Sequence, residues 1–558
     1  MAKPGAKTST NISPTFMVTR RLQRYRKQHT NRRHRKRKTQ SRRRRQRGRG
    51  KIEGELAENR AALNAALSGT NRESNVLRAV CKNPNNCLSL GQYDPMIKNF
   101  FADFNDLTMV NPADVSPISS GVNGFVQKVG FQRDGITAYV ALKGANKPTS
   151  DSLYYEWYVG KNYINIINTL FPCFVETYNM YAYKANVQDH YDMLSNHTGS
   201  SPPIHLPDLL HPINHTYTWG SSCRYNKYQC LTTQYFGNCF PMGDMFRVGY
   251  GQPQSHINID CMGCLYQVYY ALAQIVNTYT HYDLHQENIL LYKPFEGKKY
   301  VEMHYHIQGH VMRIRTEYIA KIIDYGRNYF QNAATGENSD AIYRKICNAP
   351  ECKGIKYPCG IEFGYMSLNG RPKYYAEPRT KNCSADLRLI HYMFRKLRIS
   401  RVYIHYETQH GTPENLDKND TEADGTHNVY NVQGAFLLLH KIIEGAPTMF
   451  EHKYNDADGW QKAGEIHVYE QRGREKKPYT FTYIDAVGSQ IINAKRATVT
   501  AAAAAPTSAA DNSTPETPTV ILPQSPADAD AISPTSAAPA AAIAPAPAQE
   551  LSNVFSGF

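Results

Sequence analysis

Between Arg20 and Lys51 the chain carries 18 lysines and arginines and not one acid. A segment this dense in one sign of charge repels itself and has almost nothing apolar to bury, so it is expected to stay unfolded when free. From about residue 494 onward, "TAAAAAPTSAADNSTPETPTV" and "AAPAAAIAPAPAQ" consist of Ala, Pro, Ser and Thr, a composition that also builds no core. Whatever folds must do so in the roughly 400 residues between. The expected plan is a basic arm over 1–75, a folded body, and a low-complexity tail over 494–558.

The body has the means to fold. Hydrophobic residues make up 41% of the chain, and 40 tyrosines against 3 tryptophans give the core a polar-tipped aromatic character. The net charge of +16 belongs to the arm: without its 18 cations, the 64 Lys and Arg fall into near balance with 48 Asp and Glu. Twelve cysteines are scattered without dense pairing, and no secretory signal peptide precedes them, so reduced thiols in an intracellular setting are expected. No apolar run reaches the roughly 18 residues of a membrane span, so a soluble protein is expected.

Within the body the clearest helical pattern runs from about 261 to 280. Leu265, Val268, Tyr269, Leu272, Ile275, Val276 and Tyr279 recur at three- and four-residue steps along one face. "NILLY" after it reads as a short buried strand. Upstream, "TAYVALKG" alternates as a strand with Tyr139, Ala141 and Lys143 on one side. "DSLYYEWYVGKNYINIINTL" reads as a helix, and "FPCFVETY" and "YQCLTTQYF" as strands. A strand-rich first half and a helix-led second half suggest two lobes, 85–235 and 236–493, joined near Gln234 to Gly237.

The stretch "THYDLHQENILLY" places Asp283 and Asn288 at D-x-x-x-x-N spacing between the helix and the strand. That spacing suits phosphoryl transfer, in which a carboxylate orients an acceptor hydroxyl and a carboxamide oxygen holds a metal ion. Four more signals follow the same chain order. "SSGVNGFV" supplies Gly121, Gly124 and Val126 as G-x-x-G-x-V, where missing side chains let backbone amides approach phosphate; taken alone, an ordinary hairpin turn explains these glycines equally well. "VALK" places Lys143 in a strand. Glu156 in the next helix is a candidate partner for Lys143, with a solvated helix-face glutamate as the alternative. "KIIDYG" places Asp324 after an apolar strand, as D-F-G does its aspartate.

These ordered residues resemble the protein-kinase superfamily over roughly 85–490. More narrowly, "YEWYVGKNYIN", "FPCFVETY", "KIIDYGRNYF" and "NCSADLRL" are similar to the divergent serine/threonine kinase-like proteins of nucleocytoplasmic large DNA viruses, of iridovirus type. The resemblance implies an α+β fold with two lobes, β-rich then mainly helical, with ATP and magnesium between them. It implies that Lys143 holds the α- and β-phosphates and Glu156 fixes Lys143. Asp283 becomes the catalytic base, Asn288 and Asp324 the magnesium ligands, and Val126, Ala141 and Leu290 the adenine sandwich. Asp386 resembles a buried aspartate that braces the catalytic loop. The implied setting is a virion or an infected cell, in the nucleus or a cytoplasmic virus factory, with viral or host proteins as substrates.

The departures shape these expectations. Tyr282 stands where many regulated kinases carry arginine, which implies activity independent of activation-loop phosphorylation. His285 replaces the usual lysine and resembles small-molecule phosphotransferases. Tyr325 replaces the middle phenylalanine of D-F-G. "KKYVEMHYHIQGHVMRIRTEY" lengthens the connection to Asp324 and alternates around Gly309 as an inserted hairpin. "AEP" at Ala376 to Pro378 is scrambled relative to A-P-E. Two other functions stay open: a catalytically idle kinase fold that tethers partners to nucleic acid, and a small-molecule phosphotransferase. Cys261 and Cys264 lie two residues apart but on a helix, with no second pair at finger spacing, Cys347, Cys352 and Cys359 match no zinc pattern, and no structural metal is expected. The arm is expected to bind nucleic acid through phosphate, to serve as a nuclear import signal, or both. The tail offers Thr514, Thr517, Ser525 and Ser533 before prolines as phosphorylation acceptors.

Overall fold

The computed structural model describes residues 93–483 apart from 122–123, 148–151, 215–216, 250, 353–364, 368–372, 376, 401, 408–412, 416–426 and 472–475, together with 74, 77, 78, 81 and 90. The basic arm, the tail with its four Ser/Thr-Pro sites, Cys359 and Ala376 lie outside the described residues.

The described fold is mixed α and β. Six strands form one curled sheet in the order β1-β2-β3-β6-β4-β5: β1 Val110–Ser120, β2 Gly124–Arg133, β3 Ile136–Ala145, β4 Thr177–Tyr183, β5 Leu210–Pro212 and β6 Gln229–Gln234. Every neighbouring pair is antiparallel. β1 lies at an edge and holds Pro112 and Pro117, which a central strand could not accommodate without losing ladder bonds. Asp134 and Gly135, both with positive φ, turn β2 into β3 as a two-residue hairpin. Alternation then sorts the side chains. Phe125, Val129, Phe131, Ala138, Val140 and Leu142 are buried on one face, and Val126, Lys128, Tyr139, Ala141 and Lys143 are half-buried on the other.

After β3 the helix Leu153–Val159 starts on Ser152, whose side chain accepts from the Tyr155 amide, and continues through a π turn at Gly160–Ile164 to Asn165–Asn168. Of "FPCFVETY", the part from Thr177 enters β4, while Phe174 forms only an isolated bridge to Ile322. The long helix spans Gln254–Gln274, buried on all sides from Ile257 to Ala273. It therefore begins earlier and ends sooner than the 261–280 periodicity suggested. Tyr279–Thr280 is instead a short strand paired with Tyr329–Phe330, because Ile275 and Val276 keep the apolar period through a turn that is no longer helical.

The later half is less purely helical than its sequence implied. The inserted segment is the expected hairpin, Lys299–Ile307 with His310–Thr316, turned by Gln308 and Gly309 at φ 50° and 86°. Gly309 tolerates that left-handed turn at no steric cost. The hairpin is completed by Gln461–Tyr469, which runs parallel to its first strand, and by Thr480–Tyr483, giving a four-stranded sheet. The long helix packs against this sheet and against the helix Val432–Gly445. Among the described residues, no helix is long and apolar enough to cross a membrane.

Cysteine chemistry departs from expectation. Cys223 and Cys352 form a disulfide across 129 residues, with Cα atoms 5.3 Å apart, and Cys81 and Cys347 each take part in a disulfide of their own. The fold brings the helix Trp219–Tyr225 against the turn Pro350–Cys352, a proximity that spacing along the chain does not encode. Cys261 and Cys264 are free and buried in the long helix.

Candidate functional site

The half-exposed face of β2 and β3 supplies the first components. Lys143 projects from it with a quarter of its side chain accessible. Its Nζ donates to both carboxylate oxygens of Glu156 at 2.9 and 2.8 Å and to Asp324 Oδ1 at 3.0 Å. Glu156 comes from the next helix and Asp324 lies 181 residues downstream. Burial alone would disfavour the ammonium, but Asp324 and Glu156 outweigh it and hold Lys143 firmly charged. Burial pushes the Asp324 carboxyl up, yet Lys143, with smaller help from Arg327, brings it down to about 2. Asp324 has φ 69°, left-handed and strained for a residue with a side chain. The Lys143 contact is one of the interactions that hold it there.

The loop from His281 to Asn288 reaches the same place. Asn288 Nδ2 donates to the Asp283 carbonyl at 2.9 Å, which closes the loop on itself. The Ile323 amide donates to the Asn288 carbonyl at 3.1 Å, and His281 Nε2 bonds the Ile323 carbonyl at 2.9 Å. Asp324 is therefore anchored directly beside Asn288. His281 is fully buried, and burial lowers its pKa, so the neutral ring donates from Nε2 while Nδ1 accepts from the Asp283 amide at 3.3 Å. Asp386 lies beneath. Its Oδ2 and Oδ1 accept from the amides of His281 and Tyr282 at 2.7 and 2.9 Å, which fixes Tyr282 at φ 63°. The Tyr282 hydroxyl donates to the Thr380 carbonyl at 2.7 Å.

Lys143, Glu156, Asp324, Asp283 and Asn288 thus converge, with Asp386 as the underlying brace. Val126 pairs with Lys143 in the ladder, and Ala141 shares that face. Leu290 follows Asn288 in the strand Ile289–Tyr292, half-buried between buried Ile289 and Leu291. Gly124 also has a packing constraint of its own, and Gly121 is tied to it by a backbone bond. The Gly121 amide donates to the Gly124 carbonyl at 2.8 Å across a hairpin turn, and a Cβ on Gly124 would stand 2.3 Å from the Gly144 carbonyl oxygen. Asn146 Nδ2 ties the turn down through the carbonyls of Gly121 and Gly124 at 2.8 and 3.2 Å.

Two residues were missed. Arg388 Nη1 lies 3.0 Å from Asp283 Oδ1 and Arg327 Nη1 3.5 Å from Oδ2, so two guanidinium groups meet the one carboxylate. His285 Nε2 stands farther off, 3.8 Å from Asp283 Oδ1, and burial lowers its pKa. The signal was available: "DYGR" and "DLR" each place an arginine close behind an acid already singled out. Tyr325 is buried, with its hydroxyl donating among the carbonyls of Val175 and Ile322 at 2.8 Å and accepting from the Val175 amide at 2.8 Å. The donor set fits a hard divalent cation: Asp324 offers carboxylate oxygen, and Asn288, whose Nδ2 is committed inward, offers a carboxamide oxygen. No protein-family model and no curated protein matches the chain.

Proposed function

We propose that the chain is an ATP- and magnesium-dependent phosphotransferase of bilobal kinase type, acting on serine or threonine hydroxyls of protein acceptors. The observation that carries this reading is the bridge from Lys143 to Glu156 and Asp324, groups drawn from 13 and 181 residues away. A lysine on a sheet, paired to a helix glutamate and set beside a metal-binding aspartate, is what a phosphate-positioning site requires. Magnesium, when bound, neutralises phosphate charge. Asn288 and Asp324 would hold it, and Val126, Ala141 and Leu290 would enclose the base. Lys143 would steady the phosphates, Asp283 would align the acceptor hydroxyl and accept its proton, and preorganisation would lower the barrier. A second reading, an idle kinase-like tether, is favoured by one observation: Arg388 and Arg327 engage the carboxylate of Asp283.

The test uses full-length protein, labelled ATP and magnesium, with protein acceptors and small hydroxyl acceptors, beside Asp283→Asn. The expected result is transfer to protein that falls by about 10²-fold or more in the variant. Label on small acceptors alone would redirect the reading to a small-molecule phosphotransferase. No transfer to any acceptor would leave the tether.

A further inference from the structure

The inserted hairpin carries a feature that phosphoryl transfer does not use. Its strand Lys299–Ile307 and the strand Gln461–Tyr469 run parallel in register, so Glu302 stands beside Glu465 and His304 beside His467. Side chains alternate along a strand, which puts Glu302, His304, His306, Glu465 and His467 on one face. Val301, Met303, Tyr305, Ile466 and Val468 fill the core from the other. The His304 and His467 rings are 4.5 Å apart, and one ligand atom from each of His304, Glu465 and His467 lies within 4.8 Å of the others.

The geometry points to a binding site for a divalent transition-metal ion of the zinc class, held by His304, His467 and Glu465. Two imidazoles and one carboxylate are a known zinc donor set, leaving a fourth position for water. Outer partners already orient both rings. Glu302 Oε1 lies 2.9 Å from His304 Nε2; with that nitrogen donating, Nδ1 keeps its lone pair for a metal. His306 Nε2 lies 3.0 Å from His467 Nδ1; with Nδ1–H donating, the lone pair falls on His467 Nε2, the nitrogen 3.6 Å from Glu465 Oε2. Such carboxylate and imidazole partners fix tautomer and ring angle in metal sites.

Arg315 Nε lies 3.4 Å from Glu302 Oε2, while Lys462 bonds Glu302 Oε1 at 2.7 Å and also pairs with Glu465. Its flexible stem can swing to solvent as an ion enters. Metal–ligand bonds of about 2.0–2.1 Å put donor atoms roughly 3.3 Å apart, so the widest of the three separations must close by at most about 1.5 Å, while His467 Nε2 and Glu465 Oε2 at 3.6 Å are nearly in place. Glu465, with 30% of its side chain exposed, has room to rotate inward. The ion would pin the inserted hairpin to a strand from the far end of the folded body.

Chelator-stripped full-length protein is titrated with Zn²⁺ by calorimetry and with Co²⁺ by visible absorption. Wild type is compared with His304→Ala, His467→Gln and, as a control on the exposed tip of the same hairpin, His310→Ala. The expected result is one Zn²⁺ equivalent lost in the first two variants and retained in the control. Zn²⁺ should raise Tm by several degrees in wild type and control only, by mass action on the folded state. Co²⁺ should give tetrahedral bands without thiolate charge transfer. Equal stoichiometry in all four proteins, or a thiolate-dominated cobalt spectrum that the histidine variants leave unchanged, would overturn the site. If His304→Ala fails to fold, His467→Gln, altered at a side chain a quarter exposed, decides the matter.

Discussion

Asp386 shows how one buried carboxylate can both support a site and weaken the fold. Burial is the largest influence on it and raises its pKa from 3.8 to about 7, against the pull of the His281 and Tyr282 amides. Between those values the unfolded chain gives up its proton while the folded one keeps it. The contribution of Asp386 to stability is therefore greatest below about pH 4 and declines as pH rises toward about 7. Asp386→Asn removes this titration, but it also turns an NH₂ donor toward a backbone amide that then lacks an acceptor, at a cost of about 1–3 kcal/mol. The variant should be less stable than wild type at pH 5, with the gap narrower at pH 8. Urea unfolding at the two pH values measures it; a gap that stays the same between pH 5 and pH 8 would mean that Asp386 is already ionised at pH 5.

At the scale of elements, Gly124 separates a packing role from a phosphate role. A Cβ there meets the Gly144 carbonyl oxygen, part of a strand backbone that cannot yield, whereas the nearest atom to a Cβ on Gly121 is 4.0 Å away. Gly124→Ala should cost about 1–3 kcal/mol in thermal unfolding and Gly121→Ala less than about 0.5 kcal/mol. Equal, negligible effects would remove the packing explanation. The sequence made some elements legible and hid others for related physical reasons. Strict alternation gave β3 and the hairpin around Gly309, because one face of each is apolar and a one-residue slip would invert it. The long helix was visible in its period but not in its ends, since a helix buried on all sides gives no polar face to mark where it stops. Lys143, Glu156, Asp283, Asn288 and Asp324 could be picked out as a set because their types suit phosphoryl transfer and their order resembles that of protein-kinase motifs. Arg327 and Arg388 stood beside acids already marked, but their closure on Asp283, like the pairing of His304 with His467, was not legible, because it depends on which distant segments meet in space.

For the whole molecule, two chemistries sit on one chain at separate places: a carboxylate–lysine–carboxamide cluster beside the curled sheet, and a histidine–glutamate ladder on the four-stranded one. The folded body is nearly neutral, so it offers little net charge to steer a polyanion at long range. Residues 20–51, outside the described residues, hold the excess charge as 18 cations without an acid. If about 6–10 of them meet phosphates, counterion release lowers affinity for duplex DNA by about 10³–10⁵-fold between 50 and 200 mM salt. Fluorescence anisotropy of a labelled duplex should follow that slope for the full chain and lose it after deletion of 20–51. The slope should not change with the sequence of the duplex, because phosphate contacts carry no base information. Affinity that is flat in salt, or that survives the deletion, would move nucleic-acid binding from the arm to the body.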